Sequence, residues 1–168
     1  MKVILYMAMS ANGMIAKSDD DTKWVSDTEW ESFRSVIRDA GCLVIGHRTY
    51  EIMTKQPELA ALDNVRMVVV SKQDFSVVSP EHIIAHSPEE ALEKLKCFAT
   101  VVVAGGGMLN ASFLEQKLVD EIYLDVEPLF FGKGIKLFAD GDFETRLELL
   151  ETKKLSPNEI QLHYRVLK

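Results

Sequence analysis

Short runs rich in β-branched residues alternate with helical segments along most of this chain, and that order admits few folds. Residues 3–9 are apolar on both faces, as expected of a strand buried inside a sheet. Asn12-Gly13 supplies a turn, and Ser18-Asp19-Asp20-Asp21 a polar loop. Ser26-Asp27-Thr28-Glu29 reads as a capping box, with Ser26 as N-cap and Glu29 reaching back to it. Trp30, Phe33 and Ile37 then share one face of a helix that Gly41 ends. Residues 43–45 form a second strand, and a helix over 49–55 stops before Pro57. Strands follow at 66–70 and 83–85. A helix opens at Ser87-Pro88-Glu89-Glu90 with a cap, a first-turn proline and acidic residues. A fifth strand over 100–103 leads through Gly105-Gly106-Gly107 into a helix over 109–117, and a sixth strand spans 121–126. Segments 147–154 and 160–167, joined by Ser156-Pro157-Asn158-Glu159, read as a terminal hairpin. The implied class is α/β: a three-layer α/β/α arrangement whose mostly parallel central sheet ends in a C-terminal antiparallel hairpin. The expectation is one domain over residues 1–168.

Sheets of this kind bind ligands outside the carboxyl ends of their strands. Three strand ends here carry unusual residues. Gly105-Gly106-Gly107 lacks side chains that would keep a phosphate from backbone N–H groups, and the following helix start adds donors and partial positive charge. It is not a GxGxxG fingerprint, because Asn110 stands at the sixth position, and it lacks the Lys-Ser/Thr of a P-loop. A plain tight turn would look the same. Gly46-His47-Arg48-Thr49 repeats the strand–glycine–helix order and offers Arg48 and Thr49 to a phosphate. The alternative there is a solvated arginine with Thr49 as N-cap. Ser71-Lys72 is a third such terminus. Two phosphate-friendly turns in one sheet suggest a dinucleotide gripped at both ends.

The charge balance narrows the partners. With 26 Asp+Glu against 19 Lys+Arg the net charge is −7, and no Lys/Arg cluster exists, so nucleic acid is not an expected partner. No apolar run reaches the roughly 18 residues of a membrane span, so no membrane partner is expected and the reading is a cytoplasmic protein. Cys42 and Cys97 read as buried free thiols. No Cys/His pair has zinc spacing, and no metal is assigned. Because net charge does not fix a local site, the positive potential is expected only in the cofactor cleft.

The residues carry a resemblance. The chain resembles the reductase domain of the bifunctional riboflavin-biosynthesis deaminase-reductase, and its stand-alone relatives in the dihydrofolate-reductase-like superfamily. Ser10-Ala11-Asn12-Gly13-Met14-Ile15-Ala16 is similar to that family's Ser-Leu-Asp-Gly-x-Ile-Ala, and Trp24-Val25-Ser26 to its Trp-Ile-Thr/Ser. Asp39-Ala40, Leu43-Val44-Ile45-Gly46 through Thr49, Pro57-Glu58-Leu59, Val119-Asp120-Glu121-Ile122, Glu127-Pro128-Leu129-Phe130-Phe131-Gly132 and Leu137-Phe138 continue the match in order. The resemblance implies a dihydrofolate-reductase-like fold, NADPH as cofactor, a small-molecule substrate and a homodimer. It implies a reductase similar to 5-amino-6-(5-phosphoribosylamino)uracil reductase or dihydrofolate reductase, passing hydride to a small heterocyclic or C=N/C=O substrate.

By the same resemblance Trp24, Thr49, Ser71 and the segment 106–112, with Met108 and Leu109, would contact cofactor, together with Gly46, His47, Arg48, Lys72 and Gly105. Arg38 falls where the riboflavin enzyme has a substrate-phosphate arginine, and Asn12 joins it as a substrate candidate. The departures lie on the substrate side: Ala104 replaces a Glu before the glycine turn, Lys55-Gln56 an acidic pair, and Asn12 and Met14 the usual Asp and basic residue. The cofactor half is thus better kept than the substrate half, and the substrate need not be the riboflavin intermediate. Dihydrofolate reductase uses one carboxylate on its first helix; Asp27 and Glu29 are the candidates here, and helix capping explains both equally. Water is the other proton source. The alternative function is a non-catalytic NADP(H)-binding or sensing module on the same fold.

Overall fold

The computed structural model describes residues 1–62 and 64–168; of the Pro57-Glu58-Leu59 match, the side chains of 57 and 58 lie outside the description. The chain runs β1 (Lys2–Ser10), β2 (Met14–Lys17), α1 (Asp27–Ala40), β3 (Cys42–Gly46) and α2 (His47–Met53). A 3-10 turn (Pro57–Leu62), β4 (Arg66–Val70), β5 (His82–Ala85), α3 (Pro88–Lys94) and β6 (Thr100–Val103) follow. The last part is α4 (Gly107–Glu115), β7 (Glu121–Glu127), β8 (Gly134–Lys136), β9 (Arg146–Lys154) and β10 (Ile160–Leu167). The main sheet has the order β5-β4-β3-β6-β1-β7-β10-β9. Its first six strands are parallel, and the β10–β9 hairpin closes one edge antiparallel.

Strand alternation splits the interior into two cores. Val3 and Leu5 of β1 pack with Val44, Val68, Leu92, Leu109 and Phe113 on the α3/α4 face. Tyr6 points the other way and packs with Ile37, Leu43, Ile45, Tyr50 and Met67 beneath α1 and α2. The sheet is thus covered on both faces. Burying runs such as Val101-Val102-Val103, all fully buried, contributes roughly 25 cal/mol per Å² of apolar surface removed from water.

The helix ends follow local chemistry. Ser26 Oγ accepts from the Glu29 amide at 3.0 Å and opens α1. Gly41 closes it at φ 74°, donating its N–H to the Ile37 carbonyl at 2.8 Å. Ser87 and Pro88 open α3 as expected. Elsewhere the sequence reading needs correction. Helix α2 starts at His47 rather than at 49, with Gly46 as N-cap, so Thr49 lies inside the first turn. Helix α4 likewise starts at Gly107, with Gly106 as N-cap. Cys97 is exposed in the turn after α3, where Phe98 is the residue that packs inward. β2 and β8 form a small second sheet with no counterpart in the sequence reading, because strands of four and three residues carry too little periodicity.

This small sheet straps the segment after β8 onto the start of α4. Ala139 donates its amide to the Gly107 carbonyl (3.0 Å), and Asn110 Nδ2 donates to the Leu137 carbonyl (2.8 Å). A Cβ on Gly107 would lie 2.5 Å from the Lys136 carbonyl oxygen, so only glycine fits beneath the strap. Gly107→Ala is expected to destabilise the protein by ~1–3 kcal/mol in urea titration. An unchanged midpoint would show that the strap is not seated there.

Candidate functional site

The C-terminal edge of the sheet parts between β6 and β1. Their pairing ends at Leu5 and Val103, after which β1 continues with β7 alone, to Ser10 beside Glu127. β6 stays with β3: Ala104 donates its amide to Val44 (3.0 Å), and Gly46 donates to the Gly105 carbonyl (2.7 Å). That last bond sets the two glycine turns side by side. A Cβ added to Gly46 would lie 3.6 Å from Gly105 O, and one on Gly106 3.4 Å from Thr49 Oγ1. Gly105 has φ 81°, and its peptide bond to Gly106 is cis.

Neither N-cap at these turns, Gly46 or Gly106, has a side chain to bond the helix's first amides. Two helix starts with free N–H groups thus stand together, and such ends attract anions. Ser71 is buried at the end of the neighbouring β4, with its Oγ donating to the Gln73 carbonyl at 2.7 Å and lying 3.5 Å from His47 Nδ1. His47 stacks on Phe75 with ring centroids 4.0 Å apart. Arg48 is exposed and reaches Asp20 Oδ2 at 2.8 Å. Lys72 is exposed nearby. Beneath the glycine turn Asn110 is fully buried, and its Oδ1 has no hydrogen-bond partner among the described residues.

Gly46, His47, Thr49, Ser71, Gly105, Gly106 and Gly107 therefore gather at one edge. Met108 projects from α4 at 76% exposure, whereas the Leu109 side chain belongs to the core and leaves only its backbone to a ligand. Arg38 does not join them. It stands exposed on the last turn of α1, which feeds the start of β3, a strand length from Gly46.

On the other side of β1 the edge is acidic. Trp24 sits at its rim, its Nε1 donating to the Asp21 carbonyl (3.1 Å) and its ring set edge-on to Phe131. Asn12 donates its Nδ2 to the Phe131 carbonyl at 3.0 Å and accepts from Ser10 Oγ at 2.7 Å. Below them the two carboxylate candidates separate. Asp27 is exposed, while Glu29 is turned against the sheet and only 4% exposed.

The capping box is half made. Ser26 N–H donates to Glu127 Oε1 at 2.8 Å, so Glu29 does not reach back to it. No donor among the described residues reaches the Glu29 carboxyl. Burial, then the nearby Asp125, Glu127 and Glu159 carboxylates, push its pKa well above the usual Glu value. Asp125, 1% exposed, accepts from Tyr6 OH (2.5 Å) and Gln161 Nε2 (2.8 Å), and burial raises its pKa to about 6.

Asp125, Glu127, Glu159, Tyr6 and Gln161 were not among the sequence candidates. The available signal was the alternation Tyr123-x-Asp125-x-Glu127, which places two carboxylates on the face of β7 that a helix covers.

Comparison with known proteins places this geometry in context. A family model described as the RibD C-terminal domain matches residues 1–161. The protein YwjB of Bacillus subtilis (strain 168) is 30% identical over 171 aligned residues, covering 97% of each chain. Dihydrofolate reductase type 1 of Escherichia coli is 31% identical over 132 residues, 76% of this chain and 78% of that one. A crystal structure of a putative riboflavin biosynthesis protein from Shewanella sp. PV-4 superposes with a TM-score of 0.81 over the whole of both chains at 19% identity, a likeness of fold.

The buried carboxyls set a pH dependence. A carboxyl whose pKa is raised on folding binds its proton more tightly in the folded state, so its contribution to stability falls as pH rises above its ordinary value, 4.5 for Glu29. Glu29→Gln is therefore expected to raise the thermal midpoint at about pH 8 and to change it little near pH 4, where the carboxyl is protonated folded and unfolded alike. Equal effects at both pH values in differential scanning calorimetry would contradict the raised pKa of the buried carboxyl.

Proposed function

The chain belongs to the RibD C-terminal domain family, a family of reductase type, and from that premise we propose that it is an NADPH-dependent reductase of a small heterocyclic C=N or C=O substrate. The observation that carries the reading is the pair of uncapped helix starts tied together by the Gly46–Gly105 bond. NADPH carries a central pyrophosphate and one further phosphate, the 2′-phosphate of its adenosine end, and this edge offers backbone donors without intervening Cβ atoms.

NADPH would supply the hydride. The turn of Gly105, Gly106 and Gly107 and the backbone of Met108 and Leu109 would hold its pyrophosphate side. Gly46, His47, Arg48, Thr49, Ser71 and Lys72 would hold the adenosine end, with Arg48 exchanging Asp20 for the 2′-phosphate. Trp24 would close the rim. Glu29 is the proton donor of this reading, because it is the buried carboxyl of the two candidates and burial among other carboxylates raises its pKa. Its proton goes to the substrate atom beside the carbon that takes the hydride, and solvent returns a proton to the carboxylate. Hydride plus proton saturate one C=N or C=O bond. Asn12 remains a substrate contact at the rim. Arg38, at the far end of the sheet, is not carried into this reading. Ala104 and Lys55-Gln56 depart from the riboflavin enzyme on the substrate side, so this reading leaves the substrate open between the riboflavin intermediate and another small heterocycle.

Calorimetry should detect NADPH binding at submillimolar concentration, accompanied by quenching of Trp24 fluorescence that Trp24→Phe removes. Absence of binding would sink the proposal. Arg48→Ala is expected to weaken NADPH about tenfold or more while changing NADH little; equal losses for both would show a solvated arginine.

The homodimer belongs to the same proposal. β9 is a nine-residue edge strand, exposed along nearly its whole length, and Leu147, Leu149 and Ile160 are exposed apolar residues on its hairpin. Light scattering should report a dimer that Leu149→Lys converts to monomer. A monomeric wild type would remove this part of the reading without touching the cofactor site.

A further inference from the structure

The N-cap of α1 is contested by two glutamates, and the outcome decides where the Glu29 carboxyl lies. In a capping box the residue three positions after the cap bonds the cap's own amide. Here Ser26 Oγ takes the Glu29 amide at 3.0 Å, the first half of the box. The second half is taken from outside the helix: Glu127, the last residue of β7, places Oε1 2.8 Å from the Ser26 nitrogen. Glu127 reaches that point because it pairs in register with Ser10 at the end of β1, on the sheet face covered by α1. Glu29 is displaced inward, buried and without a donor. A carboxyl in that position has one cheap alternative, which is to swing back to Ser26.

We propose that Glu127 is a positioning residue: by occupying the Ser26 amide it excludes Glu29 from the capping box and keeps that carboxyl packed between α1 and the sheet. The inference deepens the reductase reading and rests on Glu29 as its proton donor. It assigns to a residue of β7 the task of holding a residue of α1 in the place where it can give up a proton.

The surroundings act in the same direction. Facing Glu29 are Tyr6 from β1, Asp125 and Glu127 from β7, and Glu159 from the turn before β10. On its own helix Asp27 is exposed and Glu31 pairs with Arg34. Every charged group that acts on Glu29 is a carboxylate, while Lys153 of β9 reaches only Asp125. Burial likewise raises the Glu127 pKa, with the Glu159 carboxyl beside it adding to the rise. Charge therefore favours a protonated Glu29 wherever the cap competition leaves it buried, and an ordinary ionised one where it escapes to the amide.

The test needs no substrate. Full-length protein labelled with 13C at glutamate carboxyls is titrated by NMR, with Glu29→Gln assigning the Glu29 signal. In the wild type that signal should titrate well above free glutamate. In Glu127→Ala, Glu29 is expected to take over the Ser26 amide. Its midpoint should fall by about one pH unit or more, and the Ser26 amide should stay protected from hydrogen exchange. Glu127→Gln keeps an acceptor oxygen at Ser26 but removes the charge, so it guards against an unfolded alanine variant; here the midpoint should fall by less and Glu29 should stay buried. An unchanged midpoint in either folded variant, or an unprotected Ser26 amide with Glu29 unmoved, overturns the proposal. NADPH calorimetry on the same samples separates the two levels: Glu127→Ala should bind NADPH within about twofold of wild type. A wild type that binds none removes the reductase reading while the titration still decides the positioning role.

Discussion

The hydrogen bond from the Gly46 amide to the Gly105 carbonyl, 2.7 Å long, organises the functional edge of this fold. It ties β3 to the end of β6 after β6 has left β1, so the sheet opens at that point and nowhere nearer its centre. The backbone conformation favours glycine at Gly105, whereas Gly46 has ordinary dihedrals and only keeps the approach between the turns open. At Gly105 the backbone sits at φ 81° against the Met7 side chain, and at Gly46 a Cβ would enter the space between the turns. Gly46 and Gly106, as N-caps, leave α2 and α4 without side-chain caps. What costs each helix a little stability leaves two sets of amides unspent at one place. A net charge of −7 is compatible with an anion there, because the attraction comes from local dipoles and a few cations.

The opposite wall of the opening is built from like charge. Burying a carboxyl without a cation forces it toward its protonated form. Glu29 and Asp125 are held that way, the first by burial among other carboxyls and the second by burial offset by hydrogen bonds from Tyr6 and Gln161. The protein spends stability at neutral pH on this arrangement, in the pattern expected of a functional site. β1 separates the two walls: backbone donors for an anion on one side, buried carboxyls with raised pKa values on the other. A reduction needs those two things within reach of one substrate.

Local chemistry was legible in the sequence, and contacts between distant segments were not. Ser26, Gly41, Ser87 and Pro88 marked their helix ends correctly because caps act within four residues. Runs such as Val101-Val102-Val103 marked strands because both faces are buried. The start of α2 was read two residues late because Thr49 is a better cap than Gly46, and the chain uses the poorer one. The half-made capping box at Ser26 was invisible for the opposite reason: its competitor, Glu127, is 101 residues away. The pairing of β2 with β8 joins segments just as remote. Order and spacing of motifs nevertheless pointed to the right fold family, and the two glycine turns that they singled out lie together at one edge. Asp27 and Glu29 could be separated only by burial, which two residues of one helical turn do not reveal in sequence.

If the opening between β6 and β1 brings a bound dinucleotide to Glu29, a crystal structure of the complex with NADP⁺ will show it. The pyrophosphate is expected on the amides of Gly106, Gly107 and Met108, and the nicotinamide ring in the opening on the α1 side, beside Glu29. A nicotinamide on the α3/α4 face, or a pyrophosphate away from the glycine turns, would contradict it.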